Sequence, residues 1–226
     1  QDPVTGKPTW NPWHVKSGKA EFASTSVEQI KGYDSYVDGT KATEVAAAAV
    51  TEKDGEPQNG ATVTVTYAAN EHTLVINYVD GNGTVVGTYN VPGKTDETVN
   101  VDVPGNVPTN WKLVPNQQTI SSYKFGSGDP QPIAYKVEHG TEVVPVDKTD
   151  SRTYRKITQT IQEVPAGKTD ADKKVVRTAS VEFERTGVKD LVTGKTTWNA
   201  WNSNSETFPV YNIKEQKGYD SYVNGV

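Results

Sequence analysis

The chain has 226 residues, an apolar fraction of 34% and a formal net charge of −5. This length allows one or two domains with real hydrophobic cores, while the negative charge and the lack of long Lys/Arg runs argue against nucleic-acid binding. Cysteine and methionine are both absent, which excludes disulfides, thiolate metal sites and cysteine nucleophiles and fits a chain exposed to oxidants. No apolar run approaches the roughly 18 residues of a membrane-spanning helix, so we expect no insertion into a membrane.

The first predicted elements in chain order are a short helix and a strand. Four consecutive alanines within residues 43–51 favour a helix, which the turn at 54–57 would end. Valine and tyrosine then alternate with threonine over 62–67, and this period of two predicts a strand with one buried face.

Residues 70–139 have the pattern of one complete β domain. An Asp-Gly-Asn-Gly sequence at 80–83 predicts a hairpin turn between a buried strand and its returning partner. Proline and glycine break the chain between 92 and 108 into short pieces. The predicted strands are 74–78, 85–91, 111–113 and 133–137.

A second long hairpin is predicted in the last segment. Strands at 153–164 and 175–183 are joined by a Pro-Ala-Gly turn and by a charged tip at 168–174. We interpret this tip as a solvated loop, with a contact loop as the alternative.

Two sequence blocks near the start of the chain recur near its end. DPVTGKPTWNPW at 2–13 returns as DLVTGKTTWNAW at 190–201, and KGYDSYV at 31–37 returns unchanged at 217–223. Matching blocks in the same order indicate a tandem array with a period of about 187 residues.

The repeat predicts three parts of the chain. Residues 1–69 are the C-terminal part of one β domain, 70–139 are a complete domain, and 140–226 are the N-terminal part of the next copy of the first domain type. The two incomplete parts are complementary, so we predict head-to-tail self-association, in which one molecule completes the sheet of the next.

The order of these motifs resembles the mucus-binding (Mub) repeats of lactobacillus cell-surface adhesins. The segment 154–223 has two long strands, a D-x-V-T-G-K turn, spaced tryptophans and GYDSY, and it is similar to the first domain of such a repeat. TVTVTY at 62–67 matches the last strand of that domain. The segment 72–140, from HTLVINYVDGNG to YKVEHG, resembles the mucin-binding (MucBP) domain that follows.

The resemblance implies a mainly β (α+β) fold of elongated tandem β-grasp (ubiquitin-like) modules with little helix. It further implies an extracellular protein attached to the cell wall of a Gram-positive bacterium. The implied activity is adhesion to mucin glycoproteins and their glycans, weak at each repeat and multivalent over the array. An immunoglobulin-binding module and a structural stalk or spacer are the alternatives. Residues 96–107 depart from the family pattern, because Pro104, Gly105 and Asn106 predict a turn or a degenerate helix there.

Exposed aromatic side chains are the natural candidates for glycan binding, because their rings stack on the C–H faces of sugars. The candidates are Trp10, Trp13, Tyr33, Tyr36, Trp111, Tyr123, Trp198, Trp201, Tyr219 and Tyr222. For the four tryptophans of the repeated block we favour the structural alternative, in which they staple a hairpin to the core. The tyrosines beside Gly32 and Gly218 are expected in a surface loop.

Catalytic and metal-binding patterns are weak. No nucleophile–base pair or phosphate-binding loop is recognisable, so we predict that the protein is not an enzyme and requires no cofactor. The isolated histidines, which we expect to be exposed or in linkers, are His14, His72 and His139. Asp80 and Asn82 offer two oxygen ligands in one turn, so calcium is an alternative to a purely structural turn. Calcium between successive domains is a further alternative, since the junction carries Glu138, Glu142 and Asp147.

Overall fold

The computed structural model describes residues 1–223, which form two compact units that consist almost entirely of β-structure. Unit 1 comprises Gln1–Pro108 with Leu113–Val137, and unit 2 comprises Thr109–Lys112 with the chain from Glu138 onward. The mainly β fold class is therefore confirmed, whereas the β-grasp assignment and the three-part division stay predictions. Among the described residues, helical structure is limited to two 3-10 turns, Pro104–Asn106 and Asp170–Asp172. None of the helices in this part of the chain is long and apolar enough to cross a membrane.

Short paired strands make up the N-terminal part of unit 1. They are β1 (Glu21–Phe22), β2 (Thr25–Ser26), β3 (Tyr33–Val37), β4 (Thr40–Lys41), β5 (Glu44–Val45), β6 (Ala48–Ala49), β7 (Glu52–Lys53), β8 (Glu56–Pro57) and β9 (Val65–Ala69). β1 pairs with β6, β2 with β5 and β7 with β8, while β3 lies between β4 and β9 in an antiparallel sheet. Val27 and Ser35 are buried in this part, so its core is small.

A four-stranded mixed sheet follows. The next strands are β10 (Glu71–Val79), β11 (Val85–Lys94), β12 (Thr98–Asn100), β13 (Trp111–Leu113), β14 (Ser122–Lys124) and β15 (Ile133–His139). The sheet order is β11–β10–β15–β13, and β12 pairs separately with β14. β10 runs antiparallel to β11 and parallel to β15. The crossover that a parallel pair requires contains β11 to β14, and its one helical element is the 3-10 turn Pro104–Asn106, as predicted for 96–107.

The alternation of apolar residues along β10 explains the core of unit 1. Leu74, Ile76 and Tyr78 are fully buried, which confirms the buried strand predicted at 74–78. Burial of each such side chain contributes about 1.5–3 kcal/mol. The Tyr78 hydroxyl donates a hydrogen bond of 2.6 Å to the carbonyl oxygen of Val103, and burial raises the pKa of Tyr78 to about 12.

The helix predicted over 43–51 is wrong. This segment contains β5 and β6 instead, and Ala48 pairs with Phe22 of β1. Four alanines are too short a run to overcome the cost of helix nucleation without tertiary support. The flanking valines favour extended backbone because they are β-branched.

The strand predicted over 62–67 begins later than expected and its apolar face is open. β9 starts at Val65, and its ladder is formed with β3. Val63, Val65 and Tyr67 are 42%, 37% and 37% exposed, so the face that was predicted to be buried is accessible to solvent.

Unit 2 is built on a long hairpin and a small sheet. Its strands are β16 (Thr141–Val144), β17 (Tyr154–Glu163), β18 (Lys174–Glu184), β19 (Gly187–Asp190), β20 (Thr196–Trp198) and β21 (Asn202–Ser203). β17, β18 and β21 form one antiparallel sheet, and β16, β19 and β20 form another. The hairpin predicted at 153–164 and 175–183 is therefore confirmed, and its charged tip at 168–174 is exposed.

Candidate functional site

Two tryptophans and three arginines of unit 2 form an alternating cation–π ladder. The guanidinium carbon of Arg185 lies 4.8 Å from the ring centre of Trp198 and 4.5 Å from that of Trp201. Arg152 lies 5.9 Å from Trp198, and Arg155 lies 5.6 Å from Trp201. The order is therefore Arg152, Trp198, Arg185, Trp201, Arg155. Each such contact contributes about 0.5–1 kcal/mol at an exposed site.

The β17–β18 hairpin places the arginines of the ladder. Arg155 lies in β17 opposite Phe183 of β18, and Arg185 follows β18 directly. The Arg185 Nε donates to the carbonyl oxygen of Arg152 at 2.6 Å. Arg152 in turn donates from Nε and Nη2 to the Asp150 carboxylate at 2.8–3.0 Å, and these hydrogen bonds lower the pKa of Asp150.

The β19–β20 hairpin places the tryptophans. Trp198 ends β20 opposite Gly187 of β19. A Cβ at Gly187 would lie 2.7 Å from Cε3 of the Trp198 ring, so the close contact requires glycine. Trp198 and Trp201 thus pack against arginines of unit 2, and both a glycan-binding role and the stapling of a hairpin to the core stay predictions.

A shallow cleft of about 250 Å³ lies at one end of the ladder and is lined by Arg155, Ile157, Phe183 and Trp201. Ile157 is 46% exposed, so its side chain offers apolar surface to a ligand. The lining combines two aromatic rings, an aliphatic side chain and a guanidinium group. This combination suits a small ligand with an apolar C–H face and oxygen acceptors at its rim.

The first copy of the tryptophan block has different surroundings. Trp10 is 87% exposed, and Trp13 donates from Nε1 to Glu56 at 2.9 Å. Their repeat counterparts, Trp198 and Trp201, are half-buried against arginines. The same sequence block therefore exposes its tryptophans in one copy and half-buries them in the other. For this reason, the exposure of Trp10 and Trp13 is weak support for a glycan site at these residues.

The tyrosine block also differs between its copies. Tyr33 and Tyr36 lie in strand β3 and are half-buried, so the surface-loop interpretation is wrong for the first copy. The Tyr33 hydroxyl donates to Asp96 at 3.0 Å, and this hydrogen bond raises the pKa of Tyr33. Tyr219 and Tyr222 are mostly exposed outside any strand.

The two aromatic candidates of the middle segment are packed against other rings. Trp111 is half-buried and meets the ring of His139 edge to face at 4.7 Å. Tyr123 meets Phe125 edge to face at 5.1 Å. Both rings therefore contribute to packing.

The histidine expectations are only partly correct. His14 is exposed, but His72 is 8% exposed, so the expectation for His72 is wrong. The Nδ1 of His72 lies 2.9 Å from Asp129, and its Nε2 lies 3.0 Å from the Thr95 hydroxyl. That hydroxyl donates its one hydrogen to the carbonyl oxygen of Gly32 at 2.8 Å, so Nε2 of His72 must carry a hydrogen.

A second histidine–aspartate pair occurs in unit 2. The Nδ1 of half-buried His139 lies 2.6 Å from Asp190. The hydrogen bond from His139 holds the pKa of Asp190 well below its usual range, with further hydrogen bonds from the backbone N–H groups of Thr193 and Val192. Asp190 thus stabilises the turn between β19 and β20 and fixes it to the residue that ends β15.

The turn at Asp80 is structurally complete without a metal. The Asp80 carboxylate accepts the backbone N–H groups of Asn82 and Thr84, both at 2.8 Å. Across residues 1–223, no three acidic or histidine side chains converge as a metal site would require. Calcium at Asp80 and Asn82 stays an untested prediction.

Sequence analysis missed the arginines of the ladder. Arg152 and Arg155 are three residues apart, and so are Trp198 and Trp201. The matching i, i+3 spacing of cations and rings in two adjacent hairpins was the available signal. It was weak, because pairing between the hairpins cannot be read from spacing alone.

Comparisons with known proteins agree with these motifs. The family model of the Muc B2-like domain matches residues 146–226. Among solved structures, the crystal structure of Mub-RV is 25% identical, with a TM-score of 0.40 over 58% of this chain and 72% of that one. The type 2 repeat of the mucus binding protein MUB from Lactobacillus reuteri is 24% identical, with a TM-score of 0.37 over 66% and 85%.

A search of curated proteins finds no match to the chain. The family match includes the whole β17–β18 hairpin and the tryptophan block, and therefore the complete ladder. It confirms the resemblance to mucus-binding repeats, and over residues 146–226 the chain is similar to the Muc B2-like domain.

Proposed function

We propose that the chain is an adhesion module of a bacterial cell-surface protein, which binds mucin glycoproteins weakly at each repeat. The observation that carries this proposal is the cleft beside Trp201, in the segment that matches the Muc B2-like domain. Its aromatic rings can stack on a sugar face, and its guanidinium can donate hydrogen bonds to sugar oxygens.

The size of the cleft supports weak binding. Its volume of about 250 Å³ is below the range of roughly 300–1,000 Å³ that is usual for pockets enclosing drug-sized ligands. A single shallow site therefore gives low affinity, and an array of repeats compensates through effective concentration. Display outside the cell, on the wall of a Gram-positive bacterium, is part of the same proposal.

Binding of the chain to immobilised mucin, measured by biolayer interferometry, tests this function. We expect saturable binding that is lost after glycosidase treatment of the mucin. Arg155→Ala should weaken binding because Arg155 lines the cleft, while Arg152→Ala is a matched control at the other end of the ladder. Equal binding by the two variants would contradict the assignment to this cleft.

Two outcomes of the same experiment point to the alternative functions. No binding at high micromolar concentration would favour a stalk or spacer that projects another adhesive domain. Binding to immunoglobulin that survives deglycosylation would favour recognition of protein, for example through an exposed strand edge.

A further inference from the structure

His72 is a buried titratable side chain that the proposed function does not use. Its side chain is 5% exposed, and it lies beside a cleft of about 720 Å³ in unit 1. The Phe125 ring stacks on the imidazole, with ring centres 6.1 Å apart and planes at 15°. Each ring nitrogen is within hydrogen-bond distance of an oxygen, Nδ1 of the Asp129 carboxylate and Nε2 of the Thr95 hydroxyl.

The hydrogen bonds around His72 require three hydrogens. The Thr95 hydroxyl donates its hydrogen to the carbonyl oxygen of Gly32 at 2.8 Å, so it accepts from Nε2 of His72 at 3.0 Å. Asp129 lies 2.9 Å from Nδ1 with its side chain 87% exposed, and an ionised carboxylate only accepts. A neutral imidazole has one N–H group, whereas the imidazolium has two. All three hydrogen bonds are therefore complete only when His72 is an imidazolium.

The charged groups around the cleft favour the imidazolium form of His72. Besides Asp129, the lining contains the carboxylates of Glu71 and Glu97 and the ammonium group of Lys94. Lys94 lies 3.9 Å from Glu71, and its backbone N–H donates to Glu97 at 2.8 Å. The charged residues that adjoin the contacts of the histidine in sequence, all outside the cleft lining, are Lys31, Asp96 and Lys124. Three carboxylates thus meet one ammonium group at the cleft, and negative surroundings favour a charged imidazole.

These hydrogen bonds join three segments of unit 1. The carbonyl oxygen of Gly32, in the turn before β3, accepts the Thr95 hydroxyl and also the backbone N–H of Asn70. Thr95 follows β11 directly, and its backbone N–H donates to the carbonyl oxygen of Asn70 at 3.0 Å. Asp129 and Pro130, between β14 and β15, form one wall of the cleft. The imidazole therefore connects this wall to the joint between β3, β10 and β11.

We propose that a proton on His72 holds the Asp129 segment against unit 1, and that loss of this proton releases the segment and opens the cleft. Thr95 is 5% exposed, so water cannot replace its contact, and the neutral imidazole keeps its hydrogen on Nε2. The lone pair of Nδ1 then faces the Asp129 carboxylate, and the exposed carboxylate turns towards water. Histidine side chains change charge between about pH 5 and 8. The stabilisation by these hydrogen bonds is therefore complete at the acidic end and declines as the pH rises. This regulation of unit 1 does not depend on mucin binding.

NMR of the histidine rings in the whole chain tests the protonation state. The ¹⁵N chemical shifts of the two ring nitrogens distinguish the imidazolium from both neutral tautomers. His14→Gln and His139→Gln assign the signals by removing the other two histidines. We expect His72 to be an imidazolium at acidic pH and to keep its hydrogen on Nε2 when it is neutral. A neutral His72 with its hydrogen on Nδ1, or no change of its protonation between pH 5 and 8, would overturn the proposal.

Amide hydrogen exchange tests the coupling of this proton to the joint. The backbone N–H groups of Asn70 and Thr95 are both hydrogen-bonded there. After correction for intrinsic exchange rates, we expect their protection to fall about tenfold from acidic to alkaline pH, because a hydrogen bond to a charged group is lost. Asp129→Asn has nearly the same shape, and its amide can donate to a neutral Nδ1 of His72, so its protection should not vary with pH. Asp54→Asn, at an exposed carboxylate of unit 1, is the matched control and should behave like the wild-type chain. The same pH dependence in Asp129→Asn and in the wild-type chain would contradict the proposal.

Discussion

The guanidinium of Arg185 lies 4.5 Å from the ring centre of Trp201. The same group is 4.8 Å from Trp198, so one side chain from the β17–β18 hairpin occupies the space between two rings that belong to the following segment. A planar, always charged guanidinium suits this position better than an ammonium group. The ladder thus joins the two halves of unit 2.

Replacement of Arg185 by alanine should destabilise unit 2. Two cation–π contacts are lost, together with the hydrogen bond to the Arg152 carbonyl oxygen, and we expect a loss of about 1.5–3.5 kcal/mol in the free energy of unfolding. Urea denaturation followed by tryptophan fluorescence measures this loss. Arg185→Lys keeps the charge but not the planar group, so its loss should be intermediate. An unchanged urea midpoint for Arg185→Ala would show that the ladder contributes nothing.

The hydrogen bond between His139 and Asp190 should contribute to acid sensitivity. The pKa of Asp190 is lowered in the folded state, chiefly by the hydrogen bond from His139. Its contribution to stability is therefore complete above the unfolded value of about 3.9 and is lost as the pH falls below it. Asp190→Asn should lower the urea midpoint at pH 6 and should flatten the decline of that midpoint below pH 4.

Asp2→Asn is the matched control for this pH dependence. Asp2 is the repeat counterpart of Asp190 and accepts the backbone N–H groups of Val4 and Thr5 in the same type of turn. These backbone hydrogen bonds lower its pKa, but no histidine is among its hydrogen-bond partners in the described chain. The effect of Asp2→Asn should be smaller, and equal effects would assign the acid sensitivity to the turn rather than to the hydrogen bond with His139.

Hairpins were the part of the fold that the sequence predicted well. Along β10, the alternation of Leu74, Ile76 and Tyr78 with smaller or polar residues is a local signal for a strand. The Asp-Gly-Asn-Gly sequence at 80–83, which predicts a hairpin turn, follows this strand directly in the chain. Local signals failed at 43–51, where alanine favours helix in isolation but cross-strand pairing to Phe22 decides the structure.

The side chains that surround the tryptophan rings of the candidate site were harder to predict than the tryptophans themselves. The tryptophan block was visible because it recurs, but the arginines that surround Trp198 and Trp201 come from a different hairpin. Contacts between hairpins depend on tertiary packing, which spacing along one chain does not report. The buried His72 was missed for the same reason, since Asp129 and Thr95 reach it across 57 and 23 residues.

Tyr78 should make unit 1 sensitive to alkaline pH. Burial raises its pKa to about 12, so the contribution of the neutral hydroxyl is complete below the unfolded value of about 10 and is lost as the pH rises towards 12. Tyr78→Phe should reduce this alkaline loss, and at pH 7 it should cost about 1–3 kcal/mol, because the Val103 carbonyl oxygen loses its donor. Circular dichroism during urea denaturation measures both effects, and the exposed Tyr222→Phe is the control that should change neither.

Gly32 and Gly218 occupy the same position in the two copies of KGYDSYV, and both have a φ of +86°. Alanine at either site carries the left-handed backbone cost of about 1–2 kcal/mol. At Gly32 a Cβ would also lie 2.8 Å from the Cα of Ser127 and from the Thr95 side chain, whereas at Gly218 it would meet open space. Gly32→Ala should therefore lower the urea midpoint clearly more than Gly218→Ala. The difference between the two variants isolates the contact of Gly32 with Thr95 and Ser127 from the shared backbone strain, and equal losses would mean that this contact relaxes without cost.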